Sequence, residues 1–136
     1  MSENRSIWVL ITNNSKVINM KNYRKNIIKI ATHRGEERID KESVVSCKQF
    51  SFGTSIYLHS GTHLLLKESI AELRTILDSE TFFVVSENIL INLKYVDAVL
   101  PNHLVMSTGE QFNITEGRRN AFLKRVNKFF ELEYNS

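Results

Sequence analysis

Thr81-Phe82-Phe83-Val84-Val85-Ser86-Glu87-Asn88-Ile89-Leu90-Ile91-Asn92-Leu93 sets two short apolar runs on either side of a polar triplet, and the second run closes on Asn92. Runs this short, rich in Val, Ile and Phe and broken by polar residues, predict two buried strands joined by a tight corner. Immediately upstream, Lys67 to Leu77 predicts a helix. Ser69 can cap it, and Glu72, three residues on, can accept a hydrogen bond from the Ser69 amide, which makes a capping box. Ile70, Leu73, Ile76 and Leu77 then fall on one face. Downstream, a strand pair turns at Pro101-Asn102, a second turn follows at Thr108-Gly109, and a basic amphipathic helix covers Glu116 to Phe130. In that helix Phe122, Leu123, Val126, Phe129 and Phe130 repeat at helical spacing, opposite Arg118, Arg119, Lys124, Arg125 and Lys128.

Working back toward the N-terminus, Ile27 to Ala31 predicts a strand, Thr32 to Glu37 a turn, and Arg38 to Asp40 the returning strand. Val44 to Cys47 follows as a strand, and Phe50 and Phe52 alternate with Ser51 until Gly53 breaks the run. Ser55 to His59 and His63 to Leu66 flank Ser60-Gly61-Thr62, a short hairpin with its glycine at the tight position. Closely spaced strands with one helix between and one at the end predict a mostly β fold of antiparallel strands with peripheral helices.

This order of landmarks resembles the LytTR family of bacterial DNA-binding domains. In that family a helix of the form S-L-x-E-L leads to F-x-R-x-H-R-S-x-x-V-N, then strands, a G-x-x-x-x-V-S segment and a terminal helix. The counterparts here are Ser69-Ile70-Ala71-Glu72-Leu73, then Phe83 through Ile91-Asn92, then Gly109 through Ile114-Thr115. The resemblance spans roughly Ile27 to Phe130 and divides the chain into an N-terminal extension, residues 1–26, and a LytTR-like domain, residues 27–136. The extension holds the apolar run Ile7 to Ile11, a turn-like Asn13-Asn14-Ser15, and Val17 to Met20. It reads equally as an extra hairpin packed on the domain or as an arm that pairs with a second copy, because an uncovered strand this apolar invites aggregation.

The resemblance implies a double-stranded DNA partner, gripped by loops that enter successive major grooves and the minor groove between them. Carried over by position, His33 and Arg34 occupy the first hairpin, Thr62 and His63 the middle turn, and Asn88 the place of the Ser in H-R-S. Arg118 and Arg119 lie just past the counterpart of the family's V-S-R. The chain also departs from the pattern: H-R-S becomes Ser86-Glu87-Asn88, the preceding Arg becomes Val84, and the Arg after V-S becomes Glu116. A glutamate in place of an arginine exchanges attraction to phosphate for repulsion, although a carboxylate can accept a hydrogen bond from cytosine. Asn92 reads as structural, a strand-end residue tolerant of turn geometry.

Composition narrows the function classes. A hydrophobic share of 42% with 24% charged residues suits a globular domain, and no apolar run approaches the roughly 20 residues a membrane helix needs. With one cysteine, Cys47, no internal disulfide can form, and the start lacks a signal-peptide pattern, so a cytoplasmic location is expected. Residues 1–40 hold eight Lys/Arg against four Asp/Glu, and residues 41–136 hold ten against eleven. The basic excess of the first part favours a polyanionic partner through counterion release. Nucleophile, P-loop, zincin and dinucleotide signatures are absent, so catalysis is not expected and no cofactor is implied. His59 and His63 flank a hairpin turn and could approach each other, but no further ligands are placed beside them by local spacing, so no metal is expected.

Together these features predict a sequence-specific, response-regulator-like transcriptional regulator. The roughly 26 residues ahead of the match are too few for a receiver domain of ordinary size. The family's use of paired direct repeats implies two copies side by side on a promoter, as a homodimer on DNA. The alternative is the same fold used as a protein-interaction or self-association module with weakened DNA binding.

Overall fold

The computed structural model describes residues 26–135, with side chains through Glu131, so the expected hairpin or arm of residues 1–26 lies outside the described residues except for Asn26. Seven strands form one antiparallel sheet: β1 (Ile27–Thr32), β2 (Gly35–Asp40), β3 (Val44–Phe50), β4 (Gly53–Leu58), β5 (His63–Leu66), β6 (Phe82–Ser86) and β7 (Ile89–Asn92). Their spatial order is β2-β1-β5-β4-β3-β7-β6. Three further strands, β8 (Val96–Val99), β9 (His103–Met106) and β10 (Gln111–Asn113), make a second antiparallel sheet in the order β10-β9-β8. Helix α1 (Ile70–Leu73) lies between β5 and β6, and helix α2 (Arg119–Asn135) follows β10. Three 3-10 turns, η1 (Lys41–Ser43), η2 (Leu93–Tyr95) and η3 (Glu116–Arg118), complete the path.

The unbroken apolar runs of the Thr81–Leu93 stretch follow from burial on both faces. Phe82, Val84 and Leu90 pack in one core with Ile70, Leu73 and Leu77, while Val85, Ile89 and Ile91 pack in a second core with Leu104, Met106, Phe112 and Phe122. A strand covered on one side only would alternate apolar with polar residues; β7, with all four residues buried, does not. Bulges keep the two faces supplied: the registers shift between Val44 and Ser46 and between Val84 and Ser86. Ser46, buried in β3, donates to Glu110 Oε1 at 2.7 Å and so links the large sheet to the loop ahead of β10.

The β1–β2 hairpin meets the rest of the sheet at the single pair Thr32–Leu66. It folds back over the first core, into which Ile30 and Ile39 pack, and this path lets the three residues of η1 connect β2 to β3. Asn92 is fully buried and its amide donates to the Val44 carbonyl at 2.8 Å, while its Oδ1 accepts from the Lys94 amide at 2.9 Å. Its role is structural, as expected, but the reason is different. The backbone is extended (φ −94°, ψ 118°), and the side chain caps η2 instead of tolerating a turn.

Helix α1 is shorter than the predicted Lys67–Leu77 segment. The capping box is present, with the Glu72 amide donating to Ser69 Oγ at 3.1 Å and the Ser69 amide donating to Glu72 Oε1 at 2.9 Å. Four residues do not hold a helix alone, so α1 relies on this cap, on Gln49 Oε1 accepting from the Ile70 amide at 2.8 Å, and on burial. Full burial of Leu73 contributes about 2 kcal/mol. Beyond Leu73 the bonds tighten to three-residue spacing, Thr75 amide to Glu72 carbonyl and Ile76 amide to Leu73 carbonyl. That tightening turns Ile76 outward, 40% exposed, and removes it from the face it was expected to share. Phe50 and Phe52 also depart from the alternating strand predicted for them. Ser51 and Phe52 form the two-residue turn between β3 and β4, and both rings remain exposed.

Candidate nucleic-acid interface

In an antiparallel meander successive turns fall at opposite ends of the sheet, and this rule sorts the expected contact residues. Thr32 pairs with Leu66, Leu66 with Thr54, and Thr54 with Gln49; the Gln49 amide donates to the Asn88 carbonyl at 2.9 Å. The turns bearing His33 and Arg34, Ser51 and Phe52, and Glu87 and Asn88 therefore lie along one end. From β1 to β7 this row crosses four strand spacings, no more than about 19 Å. The small sheet adds its Pro101-Asn102 turn to the same end, where the Ile114 amide donates to the Asn102 carbonyl.

Arg118 and Arg119 join this end through backbone anchors. The Thr115 amide donates to the Val85 carbonyl at 2.9 Å and so straps the chain along the outer edge of β6. Arg118 Nη1 donates to the Val84 carbonyl at 3.4 Å, and Arg119 Nη1 to the Leu100 carbonyl at 3.2 Å. The Thr115 and Arg118 contacts shield the otherwise unpaired edge of β6, while the Arg119 contact reaches the end of the small sheet. They occupy one donor on each guanidinium, which has five.

Thr62 and His63 lie elsewhere. Val44 pairs with Leu58, and the Leu58 amide donates to the Thr62 carbonyl at 2.8 Å, which puts the β4–β5 turn at the other end of β3. The six residue steps of β3 from Val44 to Phe50 separate the two ends by about 20 Å. The structure thus gathers His33, Arg34, Asn88, Arg118 and Arg119 at one end and separates them from Thr62 and His63. As turn tips in the sequence the two sets look alike; only strand parity distinguishes them.

At the turns of the gathered end, local structure leaves the side chains exposed. Buried Thr32 accepts from the Arg34 amide at 3.1 Å and donates to the Gly35 carbonyl at 2.8 Å, which fixes the turn while His33 and Arg34 face solvent. Lys48 Nζ sits 5.5 Å from the Phe50 ring centroid, and Phe50 stacks on Phe52 with centroids 5.3 Å apart and planes within 1°. An open groove of about 340 Å³ beside Lys48 and Ser86 is lined by Gln111, Asn113 and Thr115. Sequence reasoning missed Lys48, the Phe50–Phe52 pair and this groove. Gln111 and Asn113 alternating about Phe112 signalled outward polar positions, but not which neighbours they would meet. Glu87 and Glu116 are exposed at this end too, so its charge is mixed.

The two histidines considered as metal ligands have separate partners: His63 packs on Tyr57 with centroids 4.1 Å apart, and His59 stacks on Tyr95 at 5.1 Å. Among the described residues no three His, Cys, Asp or Glu side chains gather as a metal site. Cys47 is fully buried in β3; burial, with Glu110 adding repulsion, pushes its thiol up to about 12, which keeps it protonated and unreactive.

No protein-family model matches the chain, and no curated protein matches its sequence. The fold, however, is that of a LytTR-type DNA-binding domain. Among solved structures, the LytTr DNA-binding domain of a methyl-accepting/DNA response regulator from Bacillus cereus superposes with a TM-score of 0.65 at 17% identity. The match covers 74% of this chain and 96% of that domain. No helix among the described residues is long and apolar enough to cross a membrane.

Proposed function

We propose that this chain binds double-stranded DNA sequence-specifically and regulates transcription from the cytoplasm, with no chemistry of its own. The observation that carries this reading is the convergence of His33, Arg34, Lys48, Asn88, Arg118 and Arg119 on one end of a LytTR-type fold. The row of turns is about as wide as the separation between a major groove and the neighbouring minor groove, roughly half of a 34 Å helical turn. Arg34, Lys48, Arg118 and Arg119 neutralise phosphates and fix the register. Asn88, whose amide can donate and accept on one base edge, reads sequence. Thr62 and His63 are left out of this grip because they lie about 20 Å away. Two copies on direct repeats extend the contact.

Binding to random and promoter duplexes at two salt concentrations tests the reading. Log K should fall by roughly 0.9 for each phosphate contact as log salt rises. Failure to retain any duplex at low salt would overturn it.

A second reading is favoured by one observation: Phe50 and Phe52 form an exposed apolar pair, 40% and 63% accessible, at the same end of the sheet as the acidic Glu87. On this reading the same end docks a protein or a second copy of the chain. A concentration-dependent rise in mass that Phe52→Ser abolishes, with no DNA retention, would select it.

A further inference from the structure

A cleft on the flank of β6 collects three arginines from three separate elements. Arg74 ends α1, Arg118 lies in η3, Arg125 sits in the second turn of α2, and all three line a cavity of about 150 Å³. Its apolar lining includes Leu77, Phe82 and Leu90, three members of the first core. No carboxylate is among the described lining residues, and the ion pair found among the described residues, Lys94–Glu42, belongs to the other end of the sheet. Arg118 uses one donor on the Val84 carbonyl and Arg125 one on the Ser79 carbonyl. The Arg125 guanidinium also lies 5.8 Å from the centroid of Phe83, another lining residue. Among the described residues most of the guanidinium donors have no partner, and three like charges share one cleft whose described lining holds no carboxylate.

We propose that this cleft binds a small phosphomonoester, the phosphate bridging Arg74, Arg118 and Arg125 and the ester group lying against Leu77 and Phe82. Three guanidinium forks match the three terminal oxygens of a phosphomonoester dianion, whereas a carboxylate would satisfy one fork and leave two unmatched. The cleft encloses an aryl or short alkyl group, whereas most of a nucleotide would extend beyond it into solvent. Binding would tie α1, η3 and α2 together. Because Arg118 also belongs to the proposed DNA grip, the two ligands would alter each other's affinity by the same factor. The site itself does not depend on the DNA reading, since Arg74 and Arg125 lie on none of the turn tips.

The test is an amide-resolved NMR titration of the full chain with phenyl phosphate, sodium chloride holding ionic strength constant, and with inorganic phosphate in parallel. Saturable shifts centred on Arg74, Ser79, Phe83 and Arg125 are expected, with inorganic phosphate weaker by about tenfold for want of the apolar contact. Arg74→Gln with Arg125→Gln should weaken phenyl phosphate by at least about tenfold. Non-saturating shifts, shifts spread equally over Lys124 and Lys128, equal affinity for inorganic phosphate, or an unchanged affinity in the double variant would each overturn the proposal. If the double variant does not fold, the location and saturation of the wild-type shifts decide the matter. A short random duplex that displaces phenyl phosphate in Arg118→Gln protein assigns the cleft to backbone phosphate and overturns the small-ligand assignment, while the DNA reading survives.

Discussion

The two ends of the large sheet are built from the same kinds of residue and differ in how those residues are used. At the end that holds Thr62 and His63, polar and aromatic groups mostly satisfy one another. Asn92 bridges the Val44 carbonyl and the Lys94 amide, Tyr95 donates to the Glu42 carbonyl at 2.8 Å, and Lys94 pairs with Glu42 at 3.6 Å. His59 and His63 each lie against a tyrosine ring. At the other end, backbone bonds fix the turns while Lys48, Phe50, Phe52 and Asn88 extend into solvent. A closed network of this kind holds a chain reversal in place, whereas available donors and exposed rings over a rigid backbone suit recognition.

Glycine substitution gives the largest contrast between the ends. Gly53, at the start of β4, has φ +145°, and a Cβ built on it would stand 2.3 Å from the Leu66 carbonyl oxygen. Gly53→Ala should therefore cost about 3 kcal/mol, combining the disallowed backbone region with a clash that only backbone movement can relieve. Gly61, at the closed end, has φ +94° and open space around its Cβ position, so Gly61→Ala should cost only about 1 kcal/mol. Urea denaturation of both variants checks the difference. Equal losses would mean that β4 and β5 do not approach as closely as the register implies.

Asn92→Ala comes next, because it unpairs two backbone groups of which one is deeply buried. The expected loss is about 2 kcal/mol in urea denaturation. DNA binding by the folded fraction should be unchanged, since the residue anchors the closed end; a variant that keeps full stability yet loses DNA would reverse its assignment.

On DNA itself, Arg118→Ala with Arg119→Ala should weaken retention and lower the salt slope by about one to two. Thr62→Ala with His63→Ala should leave both affinity and slope unchanged. Equal effects from the two pairs would erase the functional distinction between the ends.

Much of the scaffold was legible in the sequence because the signals were local. The capping box at Ser69 and Glu72, the apolar doublets of β6 and β7 and the turn at Gly61 each depend on residues a few positions apart. The candidate interface was only half legible, because separating Thr62 from Asn88 requires knowing which end each turn occupies. That is settled by strand order and by the fold-back of β1–β2, neither of which leaves a local mark. Ile76 was misplaced for a related reason: its exposure depends on where α1 tightens to three-residue spacing. Phe50 and Phe52 look like core residues until the Ser51-Phe52 turn is placed.

Cys47 lies midway along β3, between the two ends, and reports whether they unfold as one body. Its thiol pKa is pushed from 9.0 to about 12, by burial first and by Glu110 second. Below about pH 9 the thiol is protonated in both folded and unfolded chains and contributes no pH dependence. Above it, the unfolded chain releases the proton while the folded chain retains it, so stability falls as pH rises toward 12. The loss attributable to Cys47 should be about 1 kcal/mol at pH 10, one pH unit above the ordinary thiol value, and absent in Cys47→Ala. Urea denaturation at pH 8 and pH 10 measures it, with the alanine variant subtracting every contribution other than that of Cys47. If a disulfide reagent instead labels Cys47 at the same rate as a free thiol in native buffer, then β3 opens locally. The closed end and the end bearing Asn88 and Lys48 would in that case be independent units, and the fixed backbone the proposed DNA grip needs would be missing.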